Sequence, residues 1–241
     1  MPFFYFDSYY LLLVLPALAF SLWASVRVKS TFRKYSQQYN RRGMTGFQAA
    51  QAVLRANGVT DVPIRCISGD LNDHYDPKNK TIFLSEAVYH GANTASVGVA
   101  AHEAGHAVQY AQEYLPVRIR AAIIPVTNIG SRLSVPLIVF SLALSALNTL
   151  RPYRDILYFI AMLGVLGFGL CVVFQLITLP VEYNASRRAK AAIAQGELLT
   201  EEEQKGAKKV LSAAALTYVA ALALSLAQLL RLLLLVNRRR K

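Results

Sequence analysis

Four long apolar runs constrain the fold of this chain more than any other feature. They occupy residues 9–26, 133–150, 156–179 and 213–236, and each is long enough to cross a bilayer as a helix. Hydrophobic residues make up 54% of the 241 residues and only 17% are charged, because the runs contain so few polar side chains. The pattern predicts a mainly α membrane protein with about four transmembrane helices and a small α+β region outside the membrane.

The first run predicts a retained anchor rather than a cleaved signal peptide. No Lys or Arg precedes it, whereas signal peptides carry positive charge ahead of the apolar core. Four basic residues follow it between positions 27 and 34, so the positive-inside rule places that flank in the cytoplasm. Four spans would leave both termini outside, and the basic tail at 238–241 conflicts with this topology unless the last run does not fully cross.

The net charge of +12 lies largely on the flanks of the apolar runs. No helix-turn-helix, RNP or zinc-finger pattern occurs, so the charge predicts membrane topology rather than nucleic-acid binding. We therefore expect the lipid bilayer, and no nucleic acid, among the partners. Gly164, Gly167 and Gly169 in the third run permit close helix association, which leaves an oligomer or partner membrane proteins open.

The motif His102-Glu103-Ala104-Gly105-His106 predicts a zinc site. Two imidazoles four residues apart lie on the same face of a helix, one turn separated, so both can bind one metal ion. Glu103 can then act as a general base toward a zinc-activated water. The flanking residues, 96–101 and 107–110, are mostly small or apolar, which predicts a buried helix whose His and Glu side chains need partners.

A catalytic zinc usually has three protein ligands and one open position, so the motif needs a third partner. His74 and His90 lie upstream, on a turn and before a helix, and downstream acids are few. Glu182 follows the third apolar run on the same expected side of the membrane as the motif, where a carboxylate is costly unless it is paired or metal-bound. A salt bridge to Arg187 or Arg188 is the alternative. We choose Glu182 as the third ligand.

Two short strands are expected before the motif, at residues 62–67 and 81–84, with turn residues at 76–80 between them. An exposed edge strand beside a zinc-binding helix can hold an extended peptide by main-chain hydrogen bonds, or the pair can merely cover the helix. His74 and Tyr75 lie near the turn and are candidates for substrate contact or oxyanion stabilisation, although a surface role suits a loop position better. Capping boxes are predicted at two helix starts, Thr45 with Gln48 and Thr200 with Glu203.

Five segments, in order along nearly the whole chain, carry a family resemblance: residues 73–77, 84–86, 102–106, 178–189 and 211–219. Together they resemble the bacterial membrane-bound neutral zinc metallopeptidases, the YugP-like family. The resemblance implies a zinc ion at His102, His106 and Glu182. It also implies that Glu103 is the general base.

More remotely, the arrangement is similar to that of gluzincin peptidases, in which the third-ligand Glu is often followed four residues later by Asp. This chain has Ser186 at that position. A hydroxyl can bond to a ligand imidazole but supplies no negative charge, so Asn184 or a backbone carbonyl can share the task. Tyr218, in the fourth run, is either an oxyanion donor or a tyrosine packed between helices.

These expectations divide the chain into five segments. They are an N-terminal anchor at 1–30, a metallopeptidase region with the zinc motif at 31–132, a transmembrane hairpin at 133–179, a third-ligand helix and connector at 180–212, and a C-terminal transmembrane helix with a basic tail at 213–241.

The predicted function is zinc-dependent hydrolysis of peptide bonds by a multi-pass protein of the bacterial cell membrane, with its catalytic region in the cytoplasm. Its substrate would be a peptide or protein, membrane proteins included. An intramembrane-cleaving protease is one alternative, but no Leu-Asp-Gly tripeptide occurs and residues 96–110 are too short to span. A non-catalytic, zinc-stabilised membrane scaffold is the other, but structural zinc usually has four protein ligands, often Cys.

Overall fold

The computed structural model describes residues 7–238, which form a mainly α fold with one small sheet. A π-helical turn, Tyr10–Val14, leads into the first helix, and a 3-10 segment, Asn148–Tyr153, joins the fifth to the sixth. The other elements in chain order are α1 (Leu15–Ser36), α2 (Gly46–Ala56), β1 (Ile64–Ile67), β2 (His74–Asp76), β3 (Thr81–Ser85), α3 (Glu86–Tyr89), α4 (Thr94–Ala111), α5 (Leu115–Leu144), α6 (Arg154–Gln195) and α7 (Glu201–Arg238).

The chain divides into two compact units. The helical unit contains Met1–Trp23, Ile119–Thr178 and Tyr218–Lys241, and the α+β unit contains Ala24–Arg118 and Leu179–Thr217. The boundaries of the five segments expected from the sequence stay a prediction.

Within residues 7–238, four helical stretches are long and apolar enough to cross a membrane: Tyr10–Ser36, Leu115–Leu144, Thr149–Gln195 and Glu201–Arg238. The fold class expected from the sequence is therefore confirmed. The second span was placed too late along the chain, at 133–150. Residues 115–132, which precede that run, belong to the same helix, and the chain turns into the 3-10 segment before residue 150.

Small residues bring α5 and α6 together inside the helical unit. A Cβ atom on Gly164 would lie 2.8 Å from the carbonyl oxygen of Ser134, and one on Gly167 would lie 2.8 Å from the carbonyl oxygen of Gly130. Two of the three glycines expected to permit close helix approach therefore do so within this chain. Gly169 faces open space, with no atom within 4 Å of a Cβ built there.

A buried ion pair joins the two ends of the helical unit. The guanidinium of Arg231, in α7, donates to Oδ2 of Asp7 from Nε at 2.9 Å and from Nη2 at 2.6 Å. The same guanidinium lies over the ring of Tyr10, 5.1 Å from its centroid. The side chain of Arg231 is only 6% exposed, so the charge of this apolar helix is satisfied inside the protein.

The sheet of the α+β unit has the strand order β1-β3-β2, with β1 parallel and β2 antiparallel to β3. Strands β1 and β3 correspond to the two strands predicted from the sequence. The expectation of only two strands was incomplete, because His74–Asp76 forms β2 immediately before the predicted turn. Strand β2 lies at one edge of the sheet.

Both predicted capping boxes are present. The side chain of Thr45 accepts from the N–H of Gln48 at 3.2 Å, and Oε1 of Gln48 accepts from the N–H of Thr45 at 3.0 Å. At the start of α7, the N–H of Thr200 donates to Oε2 of Glu203 at 2.8 Å. The other oxygen of Glu203 accepts from the N–H of Arg41 at 2.8 Å, which ties this helix start to the loop after α1.

Helix α4 forms the centre of the α+β unit. It packs against α2, α3 and the sheet, and also against the part of α6 after Leu179 and the first turns of α7. Most of its residues are small, so neighbouring backbones approach it closely. Its buried apolar members are Ala95, Val97, Ala100, Ala101, Ala104, Ala107 and Val108.

Candidate metal centre

Three side chains of the α+β unit bring potential metal-ligand atoms together. Nε2 of His102 lies 3.3 Å, and Nε2 of His106 lies 3.4 Å, from the same oxygen, Oε2 of Glu182. One ligand atom from each residue lies within 4.8 Å of those of the other two. The centroids of the two imidazole rings are 4.7 Å apart, as expected for residues one turn apart on α4.

The crossing of α4 and α6 sets the position of Glu182. A Cβ atom on Gly105 would lie 2.9 Å from the carbonyl oxygen of Ala185, so the two backbones meet at this glycine. Glu182 and Ser186 stand one turn apart on the face of α6 that meets this crossing. The absence of a side chain at Gly105 therefore lets both residues reach the imidazoles on α4.

The donor set fits a catalytic zinc ion. Two imidazole nitrogens and one carboxylate oxygen form a usual three-ligand set for zinc, with one coordination position left for water. Among residues 7–238 the cluster holds three such groups and no cysteine. Glu182 is only 3% exposed, and a carboxylate so deeply buried needs cationic or hydrogen-bonding neighbours. The ligand roles themselves stay a prediction.

A chain of hydrogen bonds behind His106 fixes which of its ring nitrogens carries the proton. Arg188 can only donate, and its Nε donates to Oδ1 of Asn184 at 2.7 Å. That oxygen also accepts from Nε2 of Gln109 at 3.0 Å, and the same amide nitrogen donates to the carbonyl of Val181 at 2.8 Å. Oε1 of Gln109 must then accept from Nδ1–H of His106, 3.0 Å away. The lone pair on Nε2 of His106 is therefore available to a metal ion.

The second imidazole has a simpler partner. Oγ of Ser186 lies 3.2 Å from Nδ1 of His102, so a hydroxyl stands where a gluzincin often has a carboxylate. Asn184 or a backbone carbonyl was expected to share the task of orienting a ligand imidazole. Asn184 contacts Gln109, which bonds to His106, and its orienting role stays a prediction. Sequence reasoning missed Gln109. The available signal was a polar residue three positions after His106 on a helix predicted to be buried.

Glu103 lies next to the edge strand of the sheet. Its Oε2 accepts a hydrogen bond from the backbone N–H of Tyr75, in β2, at 3.0 Å. Burial raises the pKa of Glu103, and the nearby His102 and His106 only partly oppose that effect. The carboxyl group therefore holds a proton more readily than an exposed glutamate does, which suits a group that must take up a proton and release it.

The segment that leads into β2 is anchored by Asp73. Its Oδ1 accepts from the N–H of Ser85 at 2.8 Å and from the Ser85 hydroxyl at 3.0 Å. This contact joins the start of β2 to the end of β3, so it helps to position the Tyr75 N–H that meets Glu103. Burial raises the pKa of Asp73, and the hydrogen bonds from Ser85 offset part of that rise.

The other candidate residues are engaged elsewhere. The ring of His74 stacks on Phe83 at 5.1 Å, and its Nδ1 lies 2.8 Å from the carbonyl oxygen of Asn72. The ring of Tyr75 packs beside that of Tyr110, and burial raises the pKa of Tyr75 to about 12. The ring of His90 packs against that of Tyr89, and Arg188 donates to Asn184 and Gln112. Tyr218 belongs to the helical unit, and its role stays a prediction.

The apolar helices and the His-Glu-x-x-His helix together define a membrane protein with a candidate zinc-peptidase centre. The chain belongs to the family described as "Putative neutral zinc metallopeptidase", which matches residues 10–237. It is similar to "Putative membrane protease YugP" of Bacillus subtilis (strain 168), with 42% identity over 226 residues that cover 94% of this chain and 96% of that protein. No solved structure matches it. The resemblance drawn from the sequence motifs is thus confirmed.

Proposed function

We propose that this protein is a zinc-dependent metallopeptidase that hydrolyses peptide bonds, with Glu103 as its general base. One observation carries the proposal. Ligand atoms of His102, His106 and Glu182, supplied by two helices, lie within 4.8 Å of one another, and the helix that bears the imidazoles also presents a carboxyl group. The proposal includes a multi-pass topology in the bacterial cell membrane, with the centre on the cytoplasmic side.

A zinc ion held by these three side chains would act as a Lewis acid that polarises the peptide carbonyl and lowers the pKa of a water to roughly 7. The residues of this chain handle the proton. Glu103 removes it as the water attacks and then delivers it to the leaving amine. The N–H of Tyr75 holds the Glu103 carboxylate in place at 3.0 Å, which limits the orientations it can adopt.

The free edge of β2 is the proposed binding site for the peptide. Within residues 7–238, strand β2 pairs with β3 on one side only, and on its other side the Tyr75 N–H is engaged by Glu103. An extended peptide can bind such an edge through main-chain hydrogen bonds, which require no particular side-chain sequence. The edge therefore presents a peptide bond close to the carboxyl group that manages the proton.

The proposed topology is supported by the ends of the apolar helices. Arg27, Arg33 and Lys34 follow the apolar part of α1, and Lys208 with Lys209 precedes that of α7. All five belong to the α+β unit, which also contains the candidate centre. The positive-inside rule then assigns this unit to the cytoplasm.

The alternatives are less well supported. Helix α4, which carries the motif, is not one of the four helical stretches long and apolar enough to span, which disfavours cleavage within the bilayer. A structural zinc site usually has a fourth protein ligand, whereas the cluster within residues 7–238 contains three. An acid beside the first histidine also has no use in a scaffold.

The experiment that tests the proposal compares wild-type protein with Glu103→Gln and with Glu113→Gln. Glu113 is an exposed residue that pairs with Arg118 at 3.1 Å, so its substitution is a matched control. We expect Glu103→Gln to retain zinc and to lose at least about a hundredfold in peptidase rate, because general-base catalysis contributes that much or more. The assay combines zinc analysis with quantitative proteomics of cells expressing each form. Equal cleavage by wild type and Glu103→Gln would refute the assignment.

A further inference from the structure

A strongly basic groove lies between α1 and α7 within the α+β unit. It encloses about 750 Å³ and is lined by five cationic side chains: Arg27, Lys34, Lys205, Lys208 and Lys209. None of the described residues that line it is acidic. This basic groove is separate from the candidate metal centre, because no lining residue belongs to that centre.

The four lysines of the groove, Lys34, Lys205, Lys208 and Lys209, repel one another, and a bound anion would reduce that repulsion. One of the groove's lysines, Lys205, pairs with Glu202. The carboxylate of Glu202 lies 4.0 Å from Nζ of Lys205, and both side chains are more than 70% exposed. An ion pair so exposed contributes little, because water screens it. The local excess of positive charge therefore favours an anionic ligand.

A close helix contact lies beside the groove and holds its two walls together. A Cβ atom on Gly206 would lie 2.8 Å from the ring of Tyr35, so α7 and α1 touch at this glycine. The two rows of cations are consequently held on one shared surface. Hydroxyl groups of Ser30, Thr31 and Ser212 also line the groove, among the cations.

One end of the groove is apolar. Ala213 and Leu216 complete its lining, and from there α7 continues as an uncharged helix as far as Arg231. Arg27, on the other wall, comes directly after the apolar part of α1. The cations therefore lie where two apolar helices become polar, which is the depth of lipid headgroups in a bilayer.

We propose that the basic groove binds the phosphate group of an anionic phospholipid. The cations bind the phosphate, the hydroxyl groups bind the polar headgroup, and the acyl chains contact the apolar end of the groove at Ala213 and Leu216. A soluble anion would use the cations but not the apolar end. The groove thus fits a ligand with a charged head and an apolar tail.

The test measures lipid binding to the full-length chain in detergent by native mass spectrometry. Phosphatidylglycerol and phosphatidylcholine with identical acyl chains are titrated separately, and inorganic phosphate is tested as a competitor. The groove variant is Lys208→Gln/Lys209→Gln. The matched control is Arg65→Gln/Lys78→Gln, which removes two exposed charges of the same unit from positions outside the groove.

We expect wild-type protein to bind phosphatidylglycerol at least tenfold more tightly than phosphatidylcholine. Each basic residue near an anionic lipid is worth about fivefold in affinity, so the groove variant should lose about 25-fold while the control keeps its affinity. Equal affinity for the two lipids, or equal losses in both variants, would overturn the proposal. Complete displacement of phosphatidylglycerol by millimolar phosphate would assign the groove to a free anion instead and would also overturn it.

Discussion

Oε2 of Glu182 lies 3.3 Å from Nε2 of His102, although 80 positions separate the two residues along the chain. The contact exists because α6 continues for several turns past its apolar part and crosses α4 at Gly105. A helix that enters the α+β unit in this way supplies the carboxylate that the motif on α4 lacks. The geometry of the candidate centre thus depends on how closely these two helices pack.

Gly105→Ala should separate the two helices. The new methyl group would lie 2.9 Å from the carbonyl oxygen of Ala185, which is shorter than a normal contact and involves backbone that cannot move aside easily. We expect a loss of about 1–3 kcal/mol in the free energy of unfolding and weaker zinc binding. Thermal unfolding and zinc titration of the purified variant measure both effects.

Gly98→Ala is the matched control for that substitution. It lies on the same helix, and the new methyl group would meet Cβ of Ala207 at 3.4 Å, an ordinary contact. Alanine favours a helix interior by roughly 0.5–1 kcal/mol over glycine, so this variant should be as stable as wild type or more so. Equal destabilisation by the two substitutions would contradict the role given to the crossing at Gly105.

Gln109→Leu should weaken zinc binding without removing a ligand. The substitution removes the oxygen that accepts from Nδ1–H of His106 at 3.0 Å, so the ring loses its fixed orientation. Loss of such a partner typically costs 10- to 100-fold in metal affinity, and we expect a decrease of about that size. Gln204→Leu serves as the control, because Gln204 donates to the carbonyl of Leu199 at 3.0 Å and lies outside the chain of hydrogen bonds behind His106. Competition with a chelator of known affinity gives both values, and unchanged affinity for Gln109→Leu would rule out the hydrogen-bonded chain as a support for the centre.

The raised pKa of Glu103 predicts how stability depends on pH in the metal-free protein. Because burial raises this pKa in the folded state, the folded chain holds the proton more tightly than the unfolded chain does. The free energy of unfolding of wild type should therefore fall as pH rises from the unfolded pKa of about 4 through the folded pKa. Glu103→Gln cannot ionise, so the metal-free variant should be more stable than wild type at pH 8 and should lose that advantage near pH 4. Unfolding midpoints in chelator across this range measure the difference, and a difference that is constant with pH would disprove it.

The ion pair in the helical unit should be more costly to break than to replace. Asp7→Asn leaves the 6% exposed guanidinium of Arg231 without its carboxylate, and we expect a loss of about 3 kcal/mol in the free energy of unfolding. The double variant Asp7→Asn/Arg231→Met should recover most of that loss, since apolar residues often replace a buried pair without penalty. Thermal unfolding in detergent compares the three proteins. A double variant less stable than Asp7→Asn would contradict this account of the pair.

Local sequence rules predicted much of the fold. The apolar runs indicated the four long helices, and the capping boxes at Thr45 and Thr200 marked the starts of α2 and α7, because each of these signals acts within a few residues. Strand β2 was missed because its three residues show no alternating pattern and pair only with β3, which is a tertiary contact. The lengths of α5 and α6 were underestimated, since their polar continuations gain stability from packing that no local pattern reveals.

The candidate site was predicted unevenly for a physical reason. The spacing of His102 and His106 follows from helix geometry alone, so the sequence was sufficient for that pair. Choosing Glu182 as the third ligand required two further arguments. Glu182 is expected on the same side of the membrane as the motif, and the family resemblance implies the same residue. Gln109 offered one signal, a polar residue on a helix predicted to be buried, but its partners on α6 are tertiary contacts. The Tyr75 N–H could not be predicted, because its role arises only when β2 packs beside α4.

The most direct test of the central claim is the zinc content of purified wild-type protein and of Glu182→Ala, measured by mass spectrometry of the metal at matched protein concentration. We predict close to one zinc ion per wild-type chain and a large decrease in the variant, because only the two imidazoles would remain to hold the ion. Circular dichroism would verify that the variant keeps its helices. A folded Glu182→Ala protein with the same zinc content as wild type would contradict the claim that this carboxylate completes the centre.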